Sequence, residues 1–437
     1  MAGGHRFLAR RKQCVKHCSM GPQLICDKST LQALSRGELN VLRRYYSLVV
    51  PPVLLMEILG DLKKASHPDE CRQEVRVLAE KLAPMNSTVT VEFRRLVLGE
   101  LSGNPVGMDG RPVLAGGKRV VTNEGKSGMV FETAPENHAL LRWQVGEFNE
   151  AEGLLADGWR RITQAIDLEA MQRHLRPDYS AHVSFENLTE IAEFVDGMME
   201  GADESRLLVW FLKDAGIWSI GSQDELSAVI KNGNKSLKDL PYTSYCVRTA
   251  WIFHFALVFG LITTRATNRV DLEYFYYAPF CDAFSSGDSL HRDLAPHIIP
   301  EGIDFVGRDE FKRDLKSLSE WWRNMTDEER ASESKCVGPP KNESSFAHQI
   351  WTKQMKSGYR DRERLQDRML PDAVKKMADH VRGLIETGNA ENMQPHSLGL
   401  DECDFVIVKK TVRLNGPCIC GSDVTFADCC GRDIGKE

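Results

Sequence analysis

Between residues 23 and 64 the hydrophobic pattern switches period three times. Gln23-Leu24-Ile25-Cys26 is a short apolar run that stops at a carboxylate, Asp27. A polar stretch follows with Leu31, Leu34, Leu39 and Leu42 on one side, which is helical spacing. Tyr46 to Val50 is β-rich and is closed by Pro51-Pro52, and proline in a first turn suits a helix over Val53 to Lys64. Strand, helix, strand, helix without a hairpin turn predicts a parallel sheet flanked by helices, an α/β fold.

The rhythm pauses and then returns. An apolar helix is predicted over Val247 to Thr263, and a second helix opens near Asp271. Strands are predicted at Cys281 to Ser286 and Gly302 to Val306, and a helix at Asp309 to Trp322. The intervening residues 66–246 read as a large, mainly helical insertion, with helices expected at Leu140 to Ile166, Leu188 to Met199, Glu204 to Lys213 and Gln223 to Lys231. The organisation expected is a basic tail at 1–20, a core at 21–65 and 247–322, a linker at 323–346 around Pro339-Pro340, a helical connector at 347–410, and a small C-terminal unit at 411–437.

That last unit carries the most specific pattern. Cys418 and Cys420 are followed, eight residues later, by the pair Cys429-Cys430. Two close thiol pairs joined by a short loop suit one tetrahedral Zn²⁺, and so small a segment would take its folding energy from the metal. The twelve cysteines are read as metal ligands and free thiols, because no signal segment points to an oxidising compartment. These residues resemble the SEC-C motif, a zinc-binding attachment module. The lysines usual between its cysteine pairs are replaced here by Val424, Thr425, Ala427 and Asp428.

Chemistry is expected elsewhere, from carboxylates. Sites in open parallel sheets form at the carboxyl ends of strands, where Asp27 and Asp288 fall. Glu57 lies in the helix after the second strand, and Asp271 opens a later one. Acids gathered in one cleft repel unless a cation neutralises them, and hard oxygen donors without a histidine cluster suit Mg²⁺ or Mn²⁺. The order resembles that of PIN-like nucleases. The matching pieces are Asp27, Val49-Val50-Pro51 with Glu57-Ile58, Asp271, Ser286-Gly287-Asp288, and the last strand Gly302 to Val306. The resemblance implies a metal-dependent ribonuclease in which Asp27, Glu57, Asp271 and Asp288 hold the catalytic metal. Ser29 and Ser286 would hold a phosphate or water, with Asp282 a weaker fifth acid. The expected partner is RNA, with a protein partner docked through the zinc tail. The other readings are a non-catalytic zinc-tailed adaptor and an inactive nuclease-like RNA-binding protein.

Several signals carry less. A net charge of −6 excludes a globally basic nucleic-acid binder but permits a local basic channel. Ala250 to Ile262 is too short for a membrane span and is interrupted by His254, so a cytoplasmic protein is expected and His254 is read as a hydrogen-bonded core residue. Gly125-Lys126-Ser127 lacks the earlier glycine of a phosphate loop, since Val120 stands there. Cys14 and Cys18 with His5 and His17 are read as part of a basic tail, and His174 and His182 as surface residues. The pairs Arg43-Arg44, Arg94-Arg95 and Arg160-Arg161 could track a phosphate backbone but more often form solvated faces.

Overall fold

A computed structural model describes residues 21–355, with breaks at 65–66, 83–86, 116, 122–126, 132–133, 202–203, 220–235 and 336–337. The first half opens with β1 (Gln23–Cys26), α1 (Lys28–Ala33), α2 (Arg36–Tyr45), β2 (Ser47–Val50) and α3 (Pro52–Gly60). The local causes are visible. Ser35 and Glu38 form a reciprocal capping box that starts α2, and Leu39, Leu42 and Tyr45 bury its inner face. Pro51 and Pro52 start α3, where missing N–H groups cost nothing. Next come α4 (Pro68–Lys81), β3 (Ser87–Val89) and α5 (Phe93–Leu101).

The middle of the chain holds an antiparallel hairpin, β4 (Gly117–Val121) with β5 (Ser127–Phe131). Helices α6 (Pro135–Gln144), α7 (Glu150–Gln164), α8 (Leu168–Ser180), α9 (Leu188–Glu200) and α10 (Glu204–Asp214) follow. The single helix expected over Leu140 to Ile166 is two. Gly146 at φ +76° breaks it, and Asn149 with Glu152 caps the second piece. The helix expected at Gln223 to Lys231 lies outside the described residues.

The α/β pattern resumes with α11 (Pro241–Val258), α12 (Asn268–Phe275), β6 (Ala283–Ser286), α13 (Ser289–Ile298), β7 (Asp304–Gly307) and α14 (Arg308–Asn324). Five strands form one all-parallel sheet in the order β3-β2-β1-β6-β7. β1 is central and completely buried, and its neighbour β6 is contributed from far along the chain, Leu24 pairing with Ala283 and Cys26 with Ser285. An α/β sheet of parallel strands flanked by helices is therefore present as expected. The core is wider than the expected boundary at residue 65, because β3 comes from the segment read as insertion and pairs with β2 from Leu48↔Ser87 to Val50↔Val89. Three residues bounded by turns give too little periodicity to announce such a strand.

The stretch read as a linker contains α15 (Asp327–Lys335) and leads to α16 (Phe346–Gln354), which packs back on the sheet domain. The buried Trp351 indole donates to the Tyr45 carbonyl at 2.7 Å, and the Asp314 carboxylate accepts from Phe346 N at 2.8 Å. The remainder of the expected connector, the basic tail and the whole cysteine-bearing unit lie outside the described residues.

Candidate carboxylate site at the sheet switch point

β1 and β6 are adjacent, yet the chain leaves β1 toward β2 on one side and leaves β6 toward β7 on the other. This reversal of strand order opens a crevice at the carboxyl ends of the two strands. Asp27 is the first residue beyond β1 and is 5% exposed. Its carboxylate caps α1 by accepting from Thr30 N at 2.7 Å. It also accepts from Ser29 Oγ at 2.8 Å and from Ser286 Oγ, at the end of β6, at 2.7 Å. Gly287 N donates to Ser29 Oγ at 3.1 Å, so the two strand ends are stitched together. A side chain at position 287 would be impossible without movement: its Cβ would stand 2.7 Å from Ser29 Oγ and 3.0 Å from the Arg308 side chain. Asp288 caps α13 through Leu290 N at 2.8 Å and faces the Arg265 guanidinium at 3.5 Å.

Glu57 enters from α3 and Asp271 from α12. The Tyr274 hydroxyl donates to Glu57 Oε2. Lys28 is paired with the buried Asp61 at 2.5 Å and also donates to the Glu57 carbonyl at 3.2 Å. Burial pushes the Glu57 carboxyl up to about 7, the Tyr274 hydrogen bond and Lys28 oppose that rise, and the charges of Asp27 and Asp61 add to it. Burial, then the charge of Asp288, then that of Glu57 push Asp271 up to about 9; Arg265 opposes them, and Asp27 adds a smaller push. One oxygen of Asp271, Oδ2, is buried without a hydrogen-bond partner. The four acids thus share one electrostatic environment. As placed, however, no group of three or more His, Cys, Asp or Glu side chains among the described residues is arranged to hold a metal ion.

Two members of the site escaped the sequence reading. His291, on α13, is fully buried, with Nδ1 2.7 Å from Ser286 Oγ and Nε2 2.7 Å from the Asp271 carbonyl oxygen. That carbonyl only accepts, so Nε2 carries a proton. Ser286 then has one hydrogen and two acceptors facing it, Asp27 and His291 Nδ1, unless the imidazole is doubly protonated. Burial holds the His291 ring below the usual histidine range, against the pull of Asp27. Tyr274 is the other member. It lies three residues after Asp271 on the same helix, a spacing that places both on one face.

Other expectations land differently. Asp271 lies in the first turn of α12, as its fourth residue, with its N–H donating to the Thr267 carbonyl. Asp282 is completely buried at the opposite, amino-terminal end of β6, where its carboxylate accepts from Gln23 N at 2.8 Å, so it does not join the cleft. His254 is in the core as expected, but its Nε2 has no hydrogen-bond partner. Arg94 is engaged by Glu92, Glu273 and the Ala215 carbonyl. Arg44 lies over the Trp322 ring at 4.1 Å and donates to the Glu333 carbonyl. Both are structural. Cys26, Cys71, Cys246 and Cys281 are buried and form no disulfide among the described residues. Cys418, Cys420, Cys429 and Cys430 lie outside the described residues.

Comparison with known proteins bears on the far end of the chain. Residues 415–432 match the SEC-C motif. No curated protein and no solved structure matches the chain. Among the described residues no helix is long and apolar enough to cross a membrane.

Proposed function

We propose that the chain is a metal-dependent ribonuclease of the PIN-like kind, with a zinc-bound SEC-C tail that docks a partner or substrate. The observation that carries this reading is the convergence of Asp27, Glu57, Asp271 and Asp288 on the β1/β6 switch point, where burial first, and then the charges of Asp288 and Glu57, hold Asp271 far above the ordinary carboxylate range. The donor set suits the implied ion: carboxylate oxygens only, one of them, Asp271 Oδ2, buried and unpartnered. These four residues would hold Mg²⁺ or Mn²⁺. A bound ion of this kind activates water and offsets charge on a phosphodiester.

The protein's own groups prepare the rest. Ser29, Ser286 and Thr30 N fix the Asp27 carboxylate. Arg265 and Arg308, both at the strand-end crevice, offer positive charge to a phosphate backbone. Beside Asp288 a groove of about 520 Å³, lined by polar Gln172, Arg176, Asn268 and Asp293 and by apolar Leu261 and Leu290, is where part of an RNA strand would lie. In the tail, Cys418, Cys420, Cys429 and Cys430 would hold Zn²⁺.

A second reading, an RNA-binding or adaptor protein without catalysis, draws on the absence of a ready-made ion-binding group among the described residues. Cleavage of a single-stranded RNA panel with Mn²⁺ separates the two. Wild type is expected to cleave, and Asp27→Asn and Asp271→Asn to lose at least about a hundredfold in rate. Equal cleavage by wild type and Asp27→Asn, or no cleavage of any RNA by wild type, would overturn the ribonuclease reading.

A further inference from the structure

A second cavity, unconnected with the chemistry proposed above, lies where helices α8 and α10 of the middle segment meet α11 and α12. Its volume is about 250 Å³. An apolar cavity of roughly 150 Å³ accepts benzene, so this one has room for a larger planar ring system. Its lining is unusual for a simple packing defect. Trp210 forms one wall and is itself backed by Trp251, ring centroids 4.2 Å apart. The His254 ring stands edge-on to Trp210 at 4.9 Å. His254 is 3% exposed, lines the cavity, and leaves Nε2 buried with no hydrogen-bond partner. A buried imidazole nitrogen without a partner costs free energy that a bound ligand would recover.

The polar side of the cavity is an ion pair. Arg269 Nη2 donates to the Asp214 carboxylate at 2.8 Å and to its carbonyl at 2.9 Å, while Nη1 is buried with no hydrogen bond of good geometry, the Tyr276 side chain being its polar neighbour. Asp167 is exposed at the rim. Burial holds His254 down at about 4, so its ring is neutral near pH 7. Two carboxylates and one guanidinium then leave the lining slightly negative, which disfavours a phosphate and admits an uncharged ring. Aromatic walls, a neutral imidazole nitrogen and a buried guanidinium N–H describe a ligand that is planar, uncharged and carries hydrogen-bonding atoms on its edge.

We propose that this cavity binds a nucleobase-sized heteroaromatic ring, packed against Trp210 and hydrogen-bonded by His254 Nε2 and Arg269 Nη1. The ring comes either from a free base or nucleoside or from a base of a nucleic-acid strand whose phosphates stay outside the mouth. Arg269 shares α12 with Asp271, but the inference rests on the cavity alone and survives failure of the ribonuclease reading.

The test is calorimetric titration of the full-length protein, in EDTA, with adenine, cytosine, uracil, hypoxanthine and their nucleosides, and in a parallel arm with single-stranded RNA hexamers. At least one member of the panel is expected to bind with a Kd below about 1 mM. His254→Phe keeps the ring and removes Nε2, and is expected to weaken binding at least tenfold. Met171→Trp enlarges a half-buried lining residue so that it fills the cavity, and is expected to abolish binding in protein whose circular dichroism matches wild type. Binding of a free base assigns a diffusible ligand. Binding of hexamers alone, lost in Met171→Trp, assigns a strand base. No binding by any probe, or binding unchanged in folded Met171→Trp, overturns the proposal.

Discussion

Asp271→Asn removes the most strongly perturbed carboxyl of the site, one raised by burial first and by the charges of Asp288 and Glu57 next. In the folded protein this carboxyl is held at about 9, against an ordinary value of 3.8. The raised value means that the folded state keeps a proton the unfolded chain has given up. Below pH 3.8 both states are protonated and the residue costs nothing. From there to about pH 9 stability falls as pH rises, and above that the loss levels off. At 1.36 kcal/mol for each pH unit, the penalty at pH 7 is on the order of 4 kcal/mol, an upper bound that water entry and side-chain relaxation reduce. Asparagine has no proton to lose and removes this slope. Urea denaturation at pH 5 and pH 8 without divalent ions is the assay. Wild type is expected to lose about 1–2 kcal/mol more than Asp271→Asn between the two. Mn²⁺ at pH 8 is expected to stabilise wild type more than the variant, because the ion can displace the Asp271 proton and gain a fourth carboxylate that asparagine does not supply. Parallel pH dependences for the two proteins would refute the claim that burial and neighbouring charge hold the Asp271 carboxyl far above its ordinary value.

Two further outcomes follow from named contacts, and a third from the cysteine spacing. Tyr274→Phe removes the hydroxyl that opposes the rise of Glu57, so the Glu57 carboxyl, now about 7, is expected to move higher and the pH range over which it costs stability to extend upward, read by the infrared carboxyl band against pH. Glu100→Ala strips the buried carboxylate that caps α11 through Tyr242 N at 3.1 Å and Thr243 N at 2.6 Å, and is expected to cost about 2–3 kcal/mol in denaturant unfolding. Cys418→Ser is expected to remove the zinc measured by elemental analysis of purified protein, while circular dichroism of the sheet domain stays unchanged.

The parts of the site that could be read from sequence are those where function coincides with a local rule. Asp27 follows a four-residue apolar strand, and Ser286-Gly287-Asp288 follows another, so strand-end chemistry located both. Glu57 was placed by the proline-started helix around it. His291 was not found because its role depends on contacts with Ser286 and with the Asp271 carbonyl, which no periodicity displays. Glu100 is hidden for the same reason, since it caps a helix about 140 residues away. Tyr274 was within reach, because its spacing from Asp271 is one helical turn. Asp282 stands at the start of its apolar run, which ranks it last among the acids, and its carboxylate accepts from Gln23 N away from the cleft.

The insertion of β6 beside β1 has a consequence for synthesis. A chain emerging from the ribosome makes β1, β2 and β3 early, but the opposite flank of β1 stays bare until some 260 residues more have been added. During that interval a central, mostly apolar strand offers unpaired amide groups to any neighbour, which is an invitation to misassociation. The same delay separates Asp27 from Asp288, so the acids meet only when translation is well past its midpoint. A nascent polypeptide therefore exists for most of its making without the assembled acidic cluster.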